Sequence, residues 1–173
     1  MTIAAQVLET ARQQGLMIAT AESCTGGMVA AALTEIAGAS AVVERGFVTY
    51  TNAAKREMLG VQAATLDNHG AVSAAVAREM AQGALKYSDA DIAVSITGIA
   101  GPGGSEFKPE GRVCFGLATQ SGVHTETIDF GALGRGAVRS SACDHALHLL
   151  LDAMTPQSGA RLTQQKTRAD HSP

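Results

Sequence analysis

The chain has 173 residues, of which 46% are hydrophobic and only 3% are aromatic, with no Trp. That length predicts a single domain with a core built from small and aliphatic side chains. A formal net charge of −3 and the scarcity of aromatic side chains argue against a nucleic-acid-binding protein, which needs a basic surface or stacking platforms. A local arginine site for one phosphate group remains compatible with this charge.

The three cysteines, Cys24, Cys114 and Cys143, are odd in number, widely spaced and without a C-x-x-C motif. They are typical of reduced thiols in a cytosolic protein. The first six residues lack the basic region and long apolar run of a signal peptide, and no apolar stretch reaches membrane-spanning length. We therefore expect a cytoplasmic protein without a membrane segment.

Hydrophobic periodicity and turn residues predict an alternation of helices and strands. The first half of the chain is predicted to hold a helix capped by Thr2 and ending near residue 14, a strand over 16–21, a helix over 26–37, a strand over 41–50 and a short helix over 53–59 capped by Asn52. After a polar stretch around 67–70 come a helix over 74–86 capped by Ser73 and a strand over 91–97. The last elements are a hairpin of strands over 111–119 and 123–130 and a helix over 134–154.

This order predicts an α/β fold, namely one three-layer α/β/α domain with a mixed, mainly parallel sheet. The domain covers residues 1–154. Residues 155–173 are polar and lack periodicity, so the sequence predicts a disordered tail there.

The turn that follows the first strand carries a cluster of reactive side chains. Its sequence is AESCTGG over residues 21–27, so a hydroxyl and a thiol stand between a buried strand and a helix start. The glycines leave the backbone uncovered, and we expect the helix start to aim free N–H groups at a ligand. A reactive Ser23 beside such donors would begin an acyl-transfer site. From spacing alone, an ordinary helix N-cap at Ser23 is equally compatible with the sequence.

A base for Ser23 can come from the segment after the second strand. In open α/β sheets, ligands bind beyond the carboxyl ends of the strands, which places Ser23, Tyr50 and Thr97 at one edge. Lys55 lies in the first turn of the helix after Tyr50, where the helix dipole and burial both disfavour an ammonium ion. A neutral amine could take the serine proton. The alternatives are a solvated lysine and a tyrosine at the edge of the core.

Cys24 is a rival nucleophile, intrinsically better than serine. It would need a histidine base, and the candidates are His69, His145 and His148, whose position the sequence does not fix. A small buried hydrophobic residue is the more common role for such a cysteine.

Two further patterns carry weaker signals. The glycine-rich stretch over residues 98–105 matches neither a P-loop nor a dinucleotide fingerprint, so it is either a flexible connection or a loop that closes over a ligand. On the last helix, His145 and His148 lack a third firm ligand, and we expect no metal. Arg135 and Arg139 stand four residues apart near the helix start, where two guanidiniums could hold one phosphate.

Several motifs in order and spacing resemble the CinA C-terminal domain family. They are AESCTGG at 21–27, YTNAAK at 50–55, GAVS at 70–73, TGIAGPGG at 97–104, KPEG at 108–111 and GRGAVR at 134–139. The resemblance covers about residues 3–154 and corresponds to the stand-alone form of the domain. The chain departs from the family pattern at Ala37, where proline is usual, and at Glu110, where valine or a similar residue is usual.

The resemblance implies hydrolysis of the carboxamide of nicotinamide mononucleotide to nicotinate mononucleotide and ammonia, without a cofactor. It implies a catalytic set of Ser23 as nucleophile, Lys55 as base and Tyr50 in the proton network. It also implies a substrate-binding set of Thr25, Gly26, Gly27, Thr97, Gly98, Ile99, Ala100, Gly101 and Arg139. A homodimer is expected as well. The alternatives are a nucleotide-binding module without turnover and an amidase for another small amide.

Overall fold

The computed structural model describes residues 1–105 and 107–156. Residues 157–173, which form most of the predicted tail, lie outside this description. The helices are α1 (Ile3–Gln14), α2 (Met28–Thr34), α3 (Asn52–Leu59), α4 (Ala63–His69), α5 (Ala74–Lys86) and α6 (Arg135–Met154). The strands are β1 (Ile18–Glu22), β2 (Val43–Val48), β3 (Ile92–Gly98), β4 (Arg112–Thr119) and β5 (Gly122–Asp129).

The strands form one five-stranded sheet in the order β2-β1-β3-β4-β5. Strand β1 is parallel to both of its neighbours, β2 and β3, whereas β4 is antiparallel to β3 and to β5. Four strands therefore point the same way and β4 alone runs against them. The predicted mixed, mainly parallel sheet is confirmed.

Helices cover both faces of the sheet. On one face α1, α2 and α6 pack over the side chains of Ile18, Val94 and Phe115, and on the other α5 packs with α3 and α4 over the intervening small residues Ala19 and Ala93. Alternate residues of each strand thus enter opposite cores, as the strand geometry requires. The three-layer α/β/α fold is confirmed.

Several predicted boundaries are wrong by a few residues. The α2 helix begins only at Met28, because Gly26 and Gly27 take left-handed φ angles of 61° and 104°. Residues 39–41 form a 3₁₀ turn rather than the start of β2. Thr51 caps α3 instead of Asn52, since its hydroxyl accepts from the Ala54 N–H at 3.0 Å.

The α4 helix is absent from the sequence prediction. It has seven residues, and only Leu66 among them is buried, so its periodicity is too weak to detect. A contact with α5 stabilises it: the Glu79 carboxylate accepts from the Gln62 N–H at 2.9 Å and from the Thr65 hydroxyl at 2.6 Å.

Candidate active site

A cleft of about 360 Å³ opens at the carboxyl ends of β1, β2 and β3. This is the edge at which parallel α/β sheets bind ligands. The described residues that line it come from the turn after β1, the segment from β2 into α3, the α4–α5 connection, the loop after β3 and the start of α6. They are Ser23, Cys24, Tyr50, Lys55, Ala71, Val72, Thr97, Gly98, Ile99, Ala100, Gly101, Pro102, Gly103, Gly104, Ser105 and Arg135.

Lys55 lies at the floor of this cleft with only 1% of its surface exposed. Its Nζ is 3.0 Å from Ser23 Oγ and donates to the Thr49 carbonyl at 2.8 Å and to the Tyr50 carbonyl at 3.3 Å. A neutral amine has two N–H groups and one lone pair. With both carbonyls accepting from the N–H groups, the lone pair is directed toward the Ser23 hydroxyl.

Burial lowers the pKa of Lys55 from 10.5 to about 8, because desolvation penalises the ammonium form. None of its three hydrogen-bond partners carries a charge that would restore the ammonium. A substantial fraction of Lys55 is therefore neutral near physiological pH. The amine can act as a general base toward the serine beside it.

Cys24 also touches the cleft, but only 5% of the surface of this residue is exposed. Burial raises the pKa of Cys24 to about 11, so the thiolate is scarcely populated. The candidate His bases lie elsewhere: His145 pairs with Glu126, and His148 bonds to the Asp144 carbonyl on its own helix. No histidine occurs among the described residues that line the cleft.

The start of α2 does not offer free N–H groups, and that part of the sequence interpretation is wrong. The Glu22 carboxylate accepts from the N–H groups of Val29 at 2.9 Å and Ala30 at 3.0 Å, and Met28 donates to the Thr25 carbonyl. Glu22 is completely buried. Sequence reasoning missed this role, because the spacing does not say how α2 packs against the end of β1.

Backbone donors remain available in the turn itself. The Ser23 N–H donates to the Ile96 carbonyl at 2.9 Å, and the Gly26 N–H donates to the Ser23 carbonyl at 3.0 Å. Over residues 1–105 and 107–156, by contrast, no acceptor faces the N–H of Cys24 or Thr25. Of the two residues, Cys24 lines the cleft and Thr25 is completely buried, so the Cys24 N–H is the candidate donor for an oxyanion formed at Ser23.

The glycine-rich loop after β3 is a structured wall of the cleft. The Glu110 carboxylate accepts from the Gly103 N–H at 3.3 Å. The Lys108 ammonium donates to the carbonyls of His69 at 2.7 Å and Val72 at 2.5 Å, which ties the loop to the α4–α5 connection. Sequence reasoning had given neither side chain this function. The departure at Glu110 thus falls on a contact that shapes the cleft.

The two arginines at the start of α6 occupy different positions. Arg135 lines the cleft and bridges its rims, because it donates to the Gly101 carbonyl and to the Tyr50 hydroxyl, each at 2.8 Å. Arg139 lies behind the Ser23 turn and donates to the Cys24 carbonyl at 3.0 Å and the Thr25 carbonyl at 3.2 Å.

The structure thus brings most of the predicted site residues together in one cleft. They are Ser23, Lys55, Tyr50, Thr97, Gly98, Ile99, Ala100 and Gly101. Four others stand next to the cleft without lining it, namely Thr25, Gly26, Gly27 and Arg139.

Two further searches concern the described part of the chain only. Within it, no three His, Cys, Asp or Glu side chains converge as a metal site. None of the helices found there is long and apolar enough to cross a membrane.

Comparison with known proteins agrees with this architecture. The model of the CinA C-terminal domain matches residues 1–154. The chain is 52% identical over 151 residues to nicotinamide-nucleotide amidohydrolase PncC of Escherichia coli (strain K12), covering 87% of this chain and 92% of that protein. It is also 52% identical over 142 residues to a CinA-like protein of Mycolicibacterium vanbaalenii, covering 82% of this chain and 34% of that longer protein.

Among solved structures, competence/damage inducible protein CihA from Agrobacterium tumefaciens superposes with a TM-score of 0.84 at 51% identity, over 88% of this chain and 93% of that chain. The chain belongs to the CinA C-terminal domain family, and the resemblance seen in the motifs is confirmed.

Proposed function

We propose that the protein hydrolyses the carboxamide of nicotinamide mononucleotide, giving nicotinate mononucleotide and ammonia, with Ser23 as nucleophile and Lys55 as base. The observation that carries the chemistry is the buried Lys55 amine, 3.0 Å from Ser23 Oγ on the floor of the cleft. The choice of substrate is supported by the relative from Escherichia coli, which is named for amide hydrolysis on a nicotinamide nucleotide.

In the first half-reaction the Ser23 Oγ attacks the carboxamide carbon while the neutral Lys55 amine takes the hydroxyl proton. The negative charge moves to the carboxamide oxygen, which the N–H group of Cys24 stabilises. The Lys55 ammonium then protonates the amide nitrogen, the carbon–nitrogen bond breaks, and ammonia leaves an acyl ester on Ser23.

In the second half-reaction a water molecule attacks the ester carbon and Lys55 accepts its proton. The ester bond breaks, the Ser23 oxygen regains the proton from Lys55, and the carboxylate product leaves. The Thr49 and Tyr50 carbonyls keep the amine in place through both steps. The Tyr50 hydroxyl bonds to Arg135 instead, so we assign Tyr50 a supporting role rather than proton transfer.

The cleft also suits the phosphate of a mononucleotide. Of the described lining residues, Lys55 and Arg135 are the two cations and none is acidic. Since Lys55 is engaged at the reacting amide, we place the phosphate away from it, near Arg135 and the exposed backbone of Gly104. A planar guanidinium is well matched to phosphate oxygens.

The test is ammonia release from nicotinamide mononucleotide by the wild type and three variants. Ser23→Ala should reduce turnover to background, and Lys55→Ala should lower kcat on the order of 10²–10⁴-fold, the contribution typical of a general base. Cys24→Ala, the matched control for the neighbouring thiol, should lose far less than Ser23→Ala.

Four outcomes would contradict the proposal. Full activity in Ser23→Ala would remove the nucleophile, and a larger loss in Cys24→Ala would transfer the role to the thiol. Calorimetric binding of the nucleotide with no ammonia released would select the non-catalytic module, whereas turnover of a different amide in a substrate panel would select another amidase. Light scattering on the same samples tests the proposed homodimer.

A further inference from the structure

We infer that Arg139 is a positioning residue for the oxyanion-binding turn, Ser23 to Gly27, and that it does not bind the substrate phosphate. The inference rests on the proposed function, because it assigns the part that Arg139 plays in the reaction at Ser23. It assigns different roles to Arg135 and Arg139, which the sequence analysis considered together as one phosphate site.

The contacts of Arg139 fall on the peptide groups that matter for an oxyanion. The Cys24 carbonyl, which accepts from Arg139 Nε at 3.0 Å, shares its peptide group with the Thr25 N–H. A charged donor on that carbonyl polarises the peptide and makes the N–H on its other side a stronger donor. Thr25 is completely buried and does not line the cleft, so this contact acts on the orientation of the peptide group that follows the cleft-lining Cys24.

The second contact stabilises the shape of the turn. The Thr25 carbonyl, which accepts from Arg139 Nη2 at 3.2 Å, shares its peptide group with the Gly26 N–H, and that N–H donates to the Ser23 carbonyl at 3.0 Å. Polarising this peptide strengthens the hydrogen bond that closes the turn around the nucleophile. One guanidinium therefore holds two successive peptide groups of the turn that carries Ser23.

The packing around Arg139 fits a structural task. A Cβ on Gly26 would stand 3.3 Å from Arg139 Nη2, and Gly26 has a φ of 61°, so the guanidinium lies against bare backbone in a turn that needs glycine. The neighbouring Val138 is fully buried in the core, which fixes the register of α6 at this point. A lysine would keep the charge but lacks the planar fork of separate N–H donors with which the guanidinium meets the two carbonyls.

Arg135, one helical turn earlier, provides the contrast. It lines the cleft, it is exposed, and its two hydrogen bonds run across the rims of the opening rather than to the Ser23 turn. A phosphate entering the cleft meets Arg135 there, whereas Arg139 is absent from the described lining residues. Removal of Arg135 should weaken substrate binding, and removal of Arg139 should slow the chemical step.

The first experiment measures kcat and KM for the wild type, Arg139→Met, Arg139→Lys and Arg135→Met. Two substrates are compared, nicotinamide mononucleotide and nicotinamide riboside, which lacks the phosphate. We expect Arg139→Met to lower kcat about 10-fold or more, short of the roughly 10²–10³-fold loss caused by deleting an oxyanion donor. KM should stay within about twofold, the factor should be the same for both substrates, and Arg139→Lys should recover part of the rate.

Arg135→Met should instead raise KM for the mononucleotide and leave the riboside unaffected. If Arg139→Met raises KM for the mononucleotide and has no effect on the riboside, Arg139 is a phosphate ligand and the inference is overturned. Should the riboside react too slowly to measure, calorimetry in the Ser23→Ala background decides. Affinity for the mononucleotide should then survive Arg139→Met and fall in Arg135→Met.

A second readout needs no turnover. In ¹⁵N-labelled protein, loss of a hydrogen bond to the preceding carbonyl should move the amide nitrogen signals of Thr25 and Gly26 upfield in Arg139→Met, with a smaller change in Arg139→Lys. Signals that stay in place would overturn the inference. Because this spectrum is independent of activity, a wild type that releases no ammonia would refute the proposed function without deciding the role of Arg139.

Discussion

Lys55 is buried to 1% exposure with only neutral hydrogen-bond partners, the Ser23 hydroxyl and two backbone carbonyls. Lysines are rarely buried so completely unless an opposite charge pairs with them, because the ammonium loses its hydration. Burying this amine at the floor of a cleft lowers the stability of the folded protein with Lys55 charged, and it lowers the pKa of Lys55. That combination is characteristic of catalytic bases.

The pH dependence of turnover should report this group. Because only the neutral amine accepts a proton and the pKa of Lys55 is lowered to about 8, kcat should rise with pH through about pH 8 and level off above it. Ammonia release measured from pH 6 to 10 checks this, with Lys55→Arg as the control that holds its charge. A rate that is flat across pH 8, or an equal rate in Lys55→Arg, would contradict the assignment.

Stability should depend on pH through the same residue. Its pKa in the folded protein, about 8, lies below the value of 10.5 for the unfolded chain, so the unfolded chain binds more protons between these limits. The contribution of Lys55 to the free energy of unfolding therefore rises as pH increases through that window and is constant below it. Urea denaturation should show the free energy of unfolding of the wild type rising relative to that of Lys55→Met from pH 8 to pH 10.5. A constant difference would contradict the lowered pKa.

At the scale of elements, the Glu22 carboxylate joins the end of β1 to the start of α2. Glu22→Gln replaces an acceptor oxygen with an NH₂ group, so one of the buried N–H groups of Val29 and Ala30 loses its acceptor. The free energy of unfolding, measured by urea denaturation, should fall by about 1–3 kcal/mol in this variant. Glu9→Gln, which alters an exposed pair with Arg12 on α1, is the matched control and should leave stability almost unchanged. Equal losses in both variants would contradict the role of Glu22.

The contact between α5 and the end of α3 depends on a glycine. A Cβ on Gly83 would stand 1.9 Å from the Leu59 carbonyl oxygen, so Gly83→Ala must push the two helices apart. We expect a loss of about 1–3 kcal/mol, typical of overpacking. Gly136→Ala on α6 meets no atom within 4 Å and should be neutral or stabilise by about 0.4–1 kcal/mol. Thermal unfolding of the two variants measures both changes in stability. If Gly83→Ala is as stable as the wild type, the prediction is wrong and α5 can shift without cost.

At the scale of the whole molecule, the site joins segments that are distant in sequence, and this decides what the sequence could predict. The proximity of Ser23 to the segment that holds Lys55 follows from the parallel ends of β1 and β2, which the strand pattern already indicates. The occupancy of the α2 start by Glu22 does not follow, because it depends on how the helix is set against the strand. The different roles of Arg135 and Arg139 could not be predicted from the sequence either. Their spacing places both on one face of α6 but does not say which of them reaches the cleft.

The same limit applies to the fold. Long periodic segments such as α5 and α6 were predicted close to their observed bounds, because one buried stripe defines each of them. The short α4 was missed since it is stabilised by Glu79 on another helix rather than by its own sequence. The start of α2 was placed two residues early because two glycines with left-handed φ angles precede it.

Binding of the nucleotide should stabilise together the separate chain segments that meet at the cleft. In Ser23→Ala, which binds without turning over, nicotinamide mononucleotide should stabilise the fold by about 2.7 kcal/mol at 100 times its Kd. Hydrogen exchange should slow at residues 50–55, 97–105 and 134–139, which come from three separate parts of the chain and meet at the cleft. The second cleft, of about 290 Å³ between α1 and residues 36–42, is the internal control and should be unaffected. Protection at that second cleft, or stabilisation without protection at the first, would place the nucleotide elsewhere on the molecule.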